Sequence, residues 1–268
     1  MKLLEAVKSK RIAGTLLASA LVIGSLGTIT AFAASGGDAI PKNTVMTASA
    51  PADAPAAADA AQGTIQYGKT VYSTTNGSQN FTMEHWYDPQ TKDYRSDVQE
   101  YSADHRLLSY RSTYFLNGRS ELVVIQRNQN GDPVSGKLLK RADDAKPFEP
   151  LDQKSLDFSA VKQTYQASYW TSVGTGQTED GKTLNKLMNS YQSTLDDGTQ
   201  ANMQYIVYLD PQSGFPVKDE LYEDSTGTYK LFSSETEDYR YVPADDSVFN
   251  TGGVTLAPVK TSDEMYAK

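Results

Sequence analysis

The sequence predicts an α+β fold: an antiparallel sheet of about eight to eleven short strands with one helix against a face. Three observations point there. Alternating apolar and polar runs of strand length recur at hairpin spacing from residue 63 onward. One amphipathic helical run interrupts them near the middle of the chain, and residues with turn chemistry (Asp-Pro, Asn-Gly, Asp-Gly) close most of the runs.

The N-terminus precedes this pattern. Lys2, Lys8, Lys10 and Arg11 form a basic region, residues 12–30 are apolar or small, and Ala31-Phe32-Ala33 has the small-x-small spacing read by signal peptidase. Residues 1–33 are expected to be a signal peptide, with an uncleaved membrane anchor as the alternative. Residues 34–62 are rich in Ala, Pro and Asp with almost no large apolar side chain, the composition of a disordered tether. Residues 63–255 form the expected sheet domain and 256–268 a C-terminal tail.

Within the domain, "FTMEHWY" (81–87) alternates, placing Phe81, Met83, His85 and Tyr87 on one face and Thr82, Glu84 and Trp86 on the other. Asp88-Pro89-Gln90-Thr91 follows as a turn, since Asp suits the first position and Pro presets φ at the second. "YRSDVQEY", "RLLSYRSTYF" and "ELVVIQRN" continue the meander, separated by turns at 103–105 and Asn117-Gly118 and ended by Asn130-Gly131-Asp132. Phe158, Val161 and Tyr165 recur at i, i+3 and i+7, predicting a helix over about 154–166 capped by Asp152 or Ser155. Strands then resume. Residues 183–195 fit two patterns: Leu184, Leu187, Met188, Tyr191 and Leu195 make a helical stripe, while the Ser/Thr/Asn content and flanking turns fit a strand. "NMQYIVYL", a second Asp-Pro turn at Asp210-Pro211-Gln212-Ser213, "FPVKDELY" and "TYKLFSSETEDY" complete a second meander. The two Asp-Pro turns are expected at the first hairpin of each meander, a weak internal symmetry.

Composition excludes several kinds of chemistry. Cys is absent, so there is no disulfide and no thiolate nucleophile or metal ligand. A net charge of −8 disfavours nucleic acid and anionic membrane as partners, and more so after signal removal, when it becomes about −11. The two imidazoles, His85 and His105, lack the spacing of a zinc site, and no G-x-S-x-G elbow surrounds any serine. The adjacent acids Asp143-Asp144, Asp196-Asp197 and Asp245-Asp246 point to opposite sides of an extended chain and read as solvated turns. No catalytic set, metal or cofactor is expected. Tyrosine, at 17 residues, is the unusual abundance, suited to strand surfaces or to a groove that holds an apolar ligand.

The string Tyr208 to Lys218 ("YLDPQSGFPVK") resembles the W-x-D-P-x-T-G-x-P-x-[KR] hairpin of the outer-membrane lipoprotein-sorting (LolA-like) superfamily. Asp245-Asp246-Ser247-Val248-Phe249 is similar to that family's closing D-x-S-x-F, and Glu179-Asp180-Gly181-Lys182-Thr183 to its E-x-x-D-G-[RK] turn. Trp86-Tyr87-Asp88-Pro89-Gln90-Thr91 looks like its early strand pair. The resemblance spans about 80–250 and is most specific over 179–249. It implies that 183–193 is a strand and that the sheet is a curved, unclosed half-barrel with a helix packed on its concave face. It also implies an apolar cavity for a lipid or the acyl chain of a lipoprotein. On that reading Met83, Tyr87, Tyr205, Val207, Leu209, Val217 and Leu221 are candidate lining residues. The expected protein is an exported, non-enzymatic binding protein, secreted or envelope-associated in a Gram-positive bacterium. Its partner is an apolar small molecule, a lipid or a lipidated protein, and it meets membrane only if the N-terminal segment stays uncleaved. The alternative is a secreted or membrane-anchored sensor domain that binds a protein partner through its surface.

Overall fold

The computed structural model describes residues 63–142, 145–148, 157–195, 198–224, 227–245 and 247–266. The expected signal peptide and tether, both expected helix caps and the acid pairs at 143–144 and 196–197 lie outside the described residues. The first meander comprises β1 (Thr64–Thr74), β2 (Asn80–Tyr87), β3 (Tyr94–Tyr101), β4 (Leu107–Leu116), β5 (Glu121–Arg127) and β6 (Pro133–Lys140). Helix α1 (Phe158–Thr164) follows, then β7 (Thr171–Gln177), β8 (Thr183–Thr194), β9 (Gln200–Leu209), β10 (Pro216–Asp224) and β11 (Lys230–Pro243). The chain ends with β12 (Leu256–Pro258) and α2 (Ser262–Tyr266).

All strands of the described residues join one 12-stranded sheet in the order β12-β6-β5-β4-β3-β2-β1-β11-β10-β9-β8-β7. Each meander is built from sequence neighbours, and the two are welded by pairing the first strand of one to the last of the other, Thr64↔Pro243 through Thr74↔Ser233. The sheet is unclosed, ending at β12 and β7, and every pairing is antiparallel except the parallel β12·β6 edge. Among the described residues no helix is long and apolar enough to cross a membrane.

The expected helix is present, but its cap is Asp157, whose carboxylate accepts from the Ser159 N–H at 2.8 Å. Residues 183–194 are a strand. The helical stripe there arises because the strand carries apolar side chains on both sides. Leu187 and Tyr191 pair with Val207 and Met203 on one face, while Met188 pairs with Ile206 on the other.

The folded unit runs past residue 255, where the sequence suggested a tail. Leu256 pairs with Gly136 on β6, and Val254 and Leu256 pack on Tyr114, Val123 and Ile125. The chain then crosses to the opposite face, where Met265 joins the buried cluster of Tyr94, Phe115, Leu122, Val124, Leu139 and Phe148.

The two Asp-Pro turns are built alike, bond for bond. The carboxylate of Asp88 accepts from the Gln90 N–H and the Thr91 hydroxyl, as that of Asp210 accepts from the Gln212 N–H and the Ser213 hydroxyl. The Asp88 carbonyl accepts from Lys92 N–H and the Asp210 carbonyl from Gly214 N–H. They join β2 to β3 and β9 to β10, the second and third hairpins of their meanders rather than the first. Register through β1·β11 puts both turns at the same end of the sheet. The fifth turn position is left-handed in each, φ 65° at Lys92 and φ 73° at Gly214. A side chain there costs about 1 kcal/mol. Lys92→Gly is therefore expected to raise stability by up to about 1 kcal/mol, and Gly214→Ala to lower it by about as much, measured by urea unfolding.

Candidate functional site

Pairing registers assign each side chain to a face, and the face that carries both helices is the inner one. Helix α1 seats Phe158 against Phe215, Tyr239 and Tyr241, and the Phe158 N–H donates to Gln66 Oε1 at 3.1 Å. Met83, Tyr87, Tyr205, Val207, Leu209 and Leu221 all project from this face. Val207 and Leu221 are buried, at 0 % and 7 % exposure, while Met83, Tyr87, Tyr205 and Leu209 are half-buried. Val217 sits at the register shift between Pro216 and Lys218 and stands outside these rows.

The inner face is not uniformly apolar. Asp219 on β10 lies directly opposite Glu235 on β11, and Glu237 follows two residues along the same side of β11. A carboxylate oxygen from each of the three lies within 4.8 Å of the other two, a spacing an all-oxygen cation site could span. The Tyr205 hydroxyl donates to Asp219 at 2.5 Å and the Tyr239 hydroxyl donates to Glu237. Trp170 lies against Tyr205 with ring centroids 5.8 Å apart, and Tyr165 follows the end of α1. Burial, then the charge of Asp219, pushes Glu237 up to about 8. Burial pushes Asp219 up to about 6, against the lowering effect of the Tyr205 hydrogen bond. Glu235 is raised by burial and by both neighbours. Like charges face each other across a strand pair here, and retained protons remove the repulsion.

Sequence reasoning looked for acids as adjacent pairs and missed this cluster. The readable signal was alternation: Glu235, Glu237, Tyr239 and Tyr241 are spaced by two along one strand and so share a face. Of the adjacent acids, Asp245 is an exposed turn residue accepting from the Ser247 N–H.

His85 is 2 % exposed on the inner face, and its Nε2 has no hydrogen-bond partner among the described residues. Its ring lies over Gly68, where a Cβ would come within 2.2 Å of it, and burial holds the imidazole down at about 4. A neutral imidazole packed between Tyr94 and Tyr239 fills space. His105 is exposed, in a left-handed turn position. Farther across the inner face, Arg111 on β4 stands between Val98 and Gln126.

Fold and face together define an open antiparallel-sheet domain, with two helices among the described residues on its inner side. No protein-family model matches the chain, and no curated protein matches it. Among solved structures it is similar to a chain in the MucA/MucB complex of Pseudomonas aeruginosa, with TM-score 0.37 and 16 % identity, over 73 % of this chain and 59 % of that one. An uncharacterized conserved protein of Thermus thermophilus is similar with TM-score 0.36 and 11 % identity, over 75 % of this chain and 92 % of that one. A beta-barrel-like protein of the domain of unknown function DUF1849 from Brucella abortus gives TM-score 0.24 and 11 % identity, over 67 % of this chain and 99 % of that one. The chain thus spans about three-fifths of the length of the MucA/MucB chain it matches.

Proposed function

We propose that this is a LolA-like, exported, non-enzymatic domain that holds an apolar ligand, a lipid or the acyl chain of a lipoprotein, against the inner face of its sheet. The observation that carries the reading is the shared face of Met83, Tyr87, Tyr205, Val207, Leu209 and Leu221, in a sheet left open at both ends. An open sheet leaves its inner face to be covered by helices or by a ligand, and the half-buried members among these residues offer apolar surface to either. Export rests on the basic and apolar N-terminal pattern, and the Gram-positive envelope on the same segment together with the long tether. Native mass spectrometry of gently purified protein is expected to show co-purified lipid. A hydrophobic dye is expected to bind stoichiometrically and be displaced by fatty acid. A protein that takes up neither dye nor lipid overturns the reading.

One observation favours the second reading, a sensor domain docking a protein by its surface. Phe232, 40 % exposed, stands on the outer face where β11 begins, on the side of the strand opposite Glu235 and Glu237. Serine substitution of Phe232 distinguishes the two: it weakens partner capture on that reading and leaves dye binding unchanged on the first.

A further inference from the structure

One transverse row crosses the middle of the inner face. Cross-strand pairing runs from Glu237 on β11 to Thr70 on β1, Met83 on β2, Val98 on β3, Arg111 on β4 and Gln126 on β5. Thr70, Met83 and Val98 lie four residues along their strands from the row of Tyr241, Gln66, Tyr87, Tyr94 and Phe115, on which α1 packs at Tyr241 and Gln66 and Met265 of α2 packs by Tyr94 and Phe115. Met83 and Val98 are half-buried, so the strip keeps accessible apolar surface.

Arg111 ends that strip. Its Nε is buried with no hydrogen-bond partner among the described residues, and no carboxylate pairs with it in any ion pair of those residues. Its guanidinium has the Tyr266 ring 5.7 Å away. The nearest acid on the same face by register, Glu100, is one rung along and accepts from the Ser109 hydroxyl at 2.7 Å. Glu237, at the other end of the row, is four strand spacings away, roughly 19 Å. A guanidinium carries five donors in a planar fork shaped for carboxylate or phosphate, and a buried donor left without an acceptor is costly.

We infer that Arg111 is the headgroup site of the inner face, selecting amphiphiles with an anionic carboxylate or phosphate head whose apolar body lies along Val98 and Met83. The inference rests on the apolar-ligand reading above and names the chemical class of that ligand. Charge-assisted, bidentate hydrogen bonding to Arg111 supplies the selectivity, and the Tyr266 ring holds the guanidinium in place from the α2 side.

The test compares ligands of one chain length on the full chain, below their micellar concentrations, by displacement of the bound dye. Dodecanoate and dodecyl phosphate are expected to bind about tenfold or more tightly than dodecanol and dodecyltrimethylammonium. Arg111→Met is expected to abolish the preference, bringing the anions down to the affinity of dodecanol, and Arg111→Lys to retain part of it. Melting curves of both variants check that each is folded. A tighter grip on the phosphate points to a phospholipid-like head and a tighter grip on the carboxylate to a free acid; either supports the inference. Equal binding of anion and alcohol, or an anion preference that survives Arg111→Met, overturns it while the apolar-ligand reading stands. If dodecanol and the anions all fail to bind, the apolar-ligand reading falls and takes this inference with it.

Discussion

Met265→Ala is expected to lower unfolding stability by about 2–4 kcal/mol, whereas Tyr266→Ala, one residue on, should change it by less than about 0.5 kcal/mol. Met265 is 2 % exposed among Tyr94, Phe115, Leu122, Val124, Leu139 and Phe148, so its removal leaves a cavity that the aromatic and branched neighbours cannot easily collapse into. Tyr266 is 52 % exposed and loses chiefly its ring contact with Arg111. The same logic makes truncation at residue 253 more damaging than either substitution. The segment that follows covers both sides of the first meander, with Val254 and Leu256 on the outer face and Met265 on the inner, and its β12 protects the β6 edge. Urea unfolding of the two substitutions and solubility of the truncated chain measure this. A truncated protein as stable as the whole chain would show that residues 254–268 are a tail after all.

Between pH 6.5 and 8.5 the protein is expected to lose about 2 kcal/mol of stability, mostly through Glu237. Its carboxyl, raised from 4.5 to about 8, stays protonated in the folded state at pH values where the unfolded chain has already ionised it. The folded protein then binds more protons, and stability drains away as pH rises through the folded value. Asp219, raised to about 6, works in the same direction at lower pH, and Glu235, raised by burial and by its two acidic neighbours, adds to it. His85 opposes them over the lower part of the range. Its value is depressed to about 4, so its contribution is present above the ordinary histidine value and is lost as pH falls toward 4. Above pH 6.5 that opposition has ended, which is why the window begins there. Tyr165, Tyr205 and Tyr239, which face the carboxyls, are themselves raised by burial and nearby carboxylates, and stay protonated throughout. For a domain of this size the loss corresponds to roughly 4–8 °C in Tm. Glu237→Gln is expected to flatten the profile. A Tm that is constant or rises from pH 6.5 to 8.5 would contradict the arrangement.

Hairpins are local objects, and the sequence spelled them out. Asp88-Pro89 and Asp210-Pro211 specify turns through hydrogen bonds to residues two and three positions on, so no distant part of the chain is needed to read them. Alternation of period two likewise placed Met83 and Tyr87 on one face before any partner strand was known. Where local signals competed, the outcome depended on neighbours. Residues 183–194 carry a helical stripe, yet β7 and β9 supply backbone partners on both sides, and a strand with apolar side chains on both faces makes the stripe an accident of spacing.

Two features belonged to tertiary structure alone. Pairing β1 with β11 brings residues from the two ends of the domain into register, and that pairing puts Glu237 in line with Met83, Val98 and Arg111. Pairing β10 with β11 sets Asp219 against Glu235. Each of these residues reads, in sequence, as an ordinary polar position on an alternating strand. The sequence by itself determined most of the strands and turns, though not β6 or β12, and which side chains share a face, because those follow from the backbone period and from bonds a few residues long. Which face would be covered, where the carboxyl cluster and an arginine with no ion pair among the described residues would stand, and that residues 256–266 pack on the sheet and bury Met265 were decided by strand order, which no local spacing encodes.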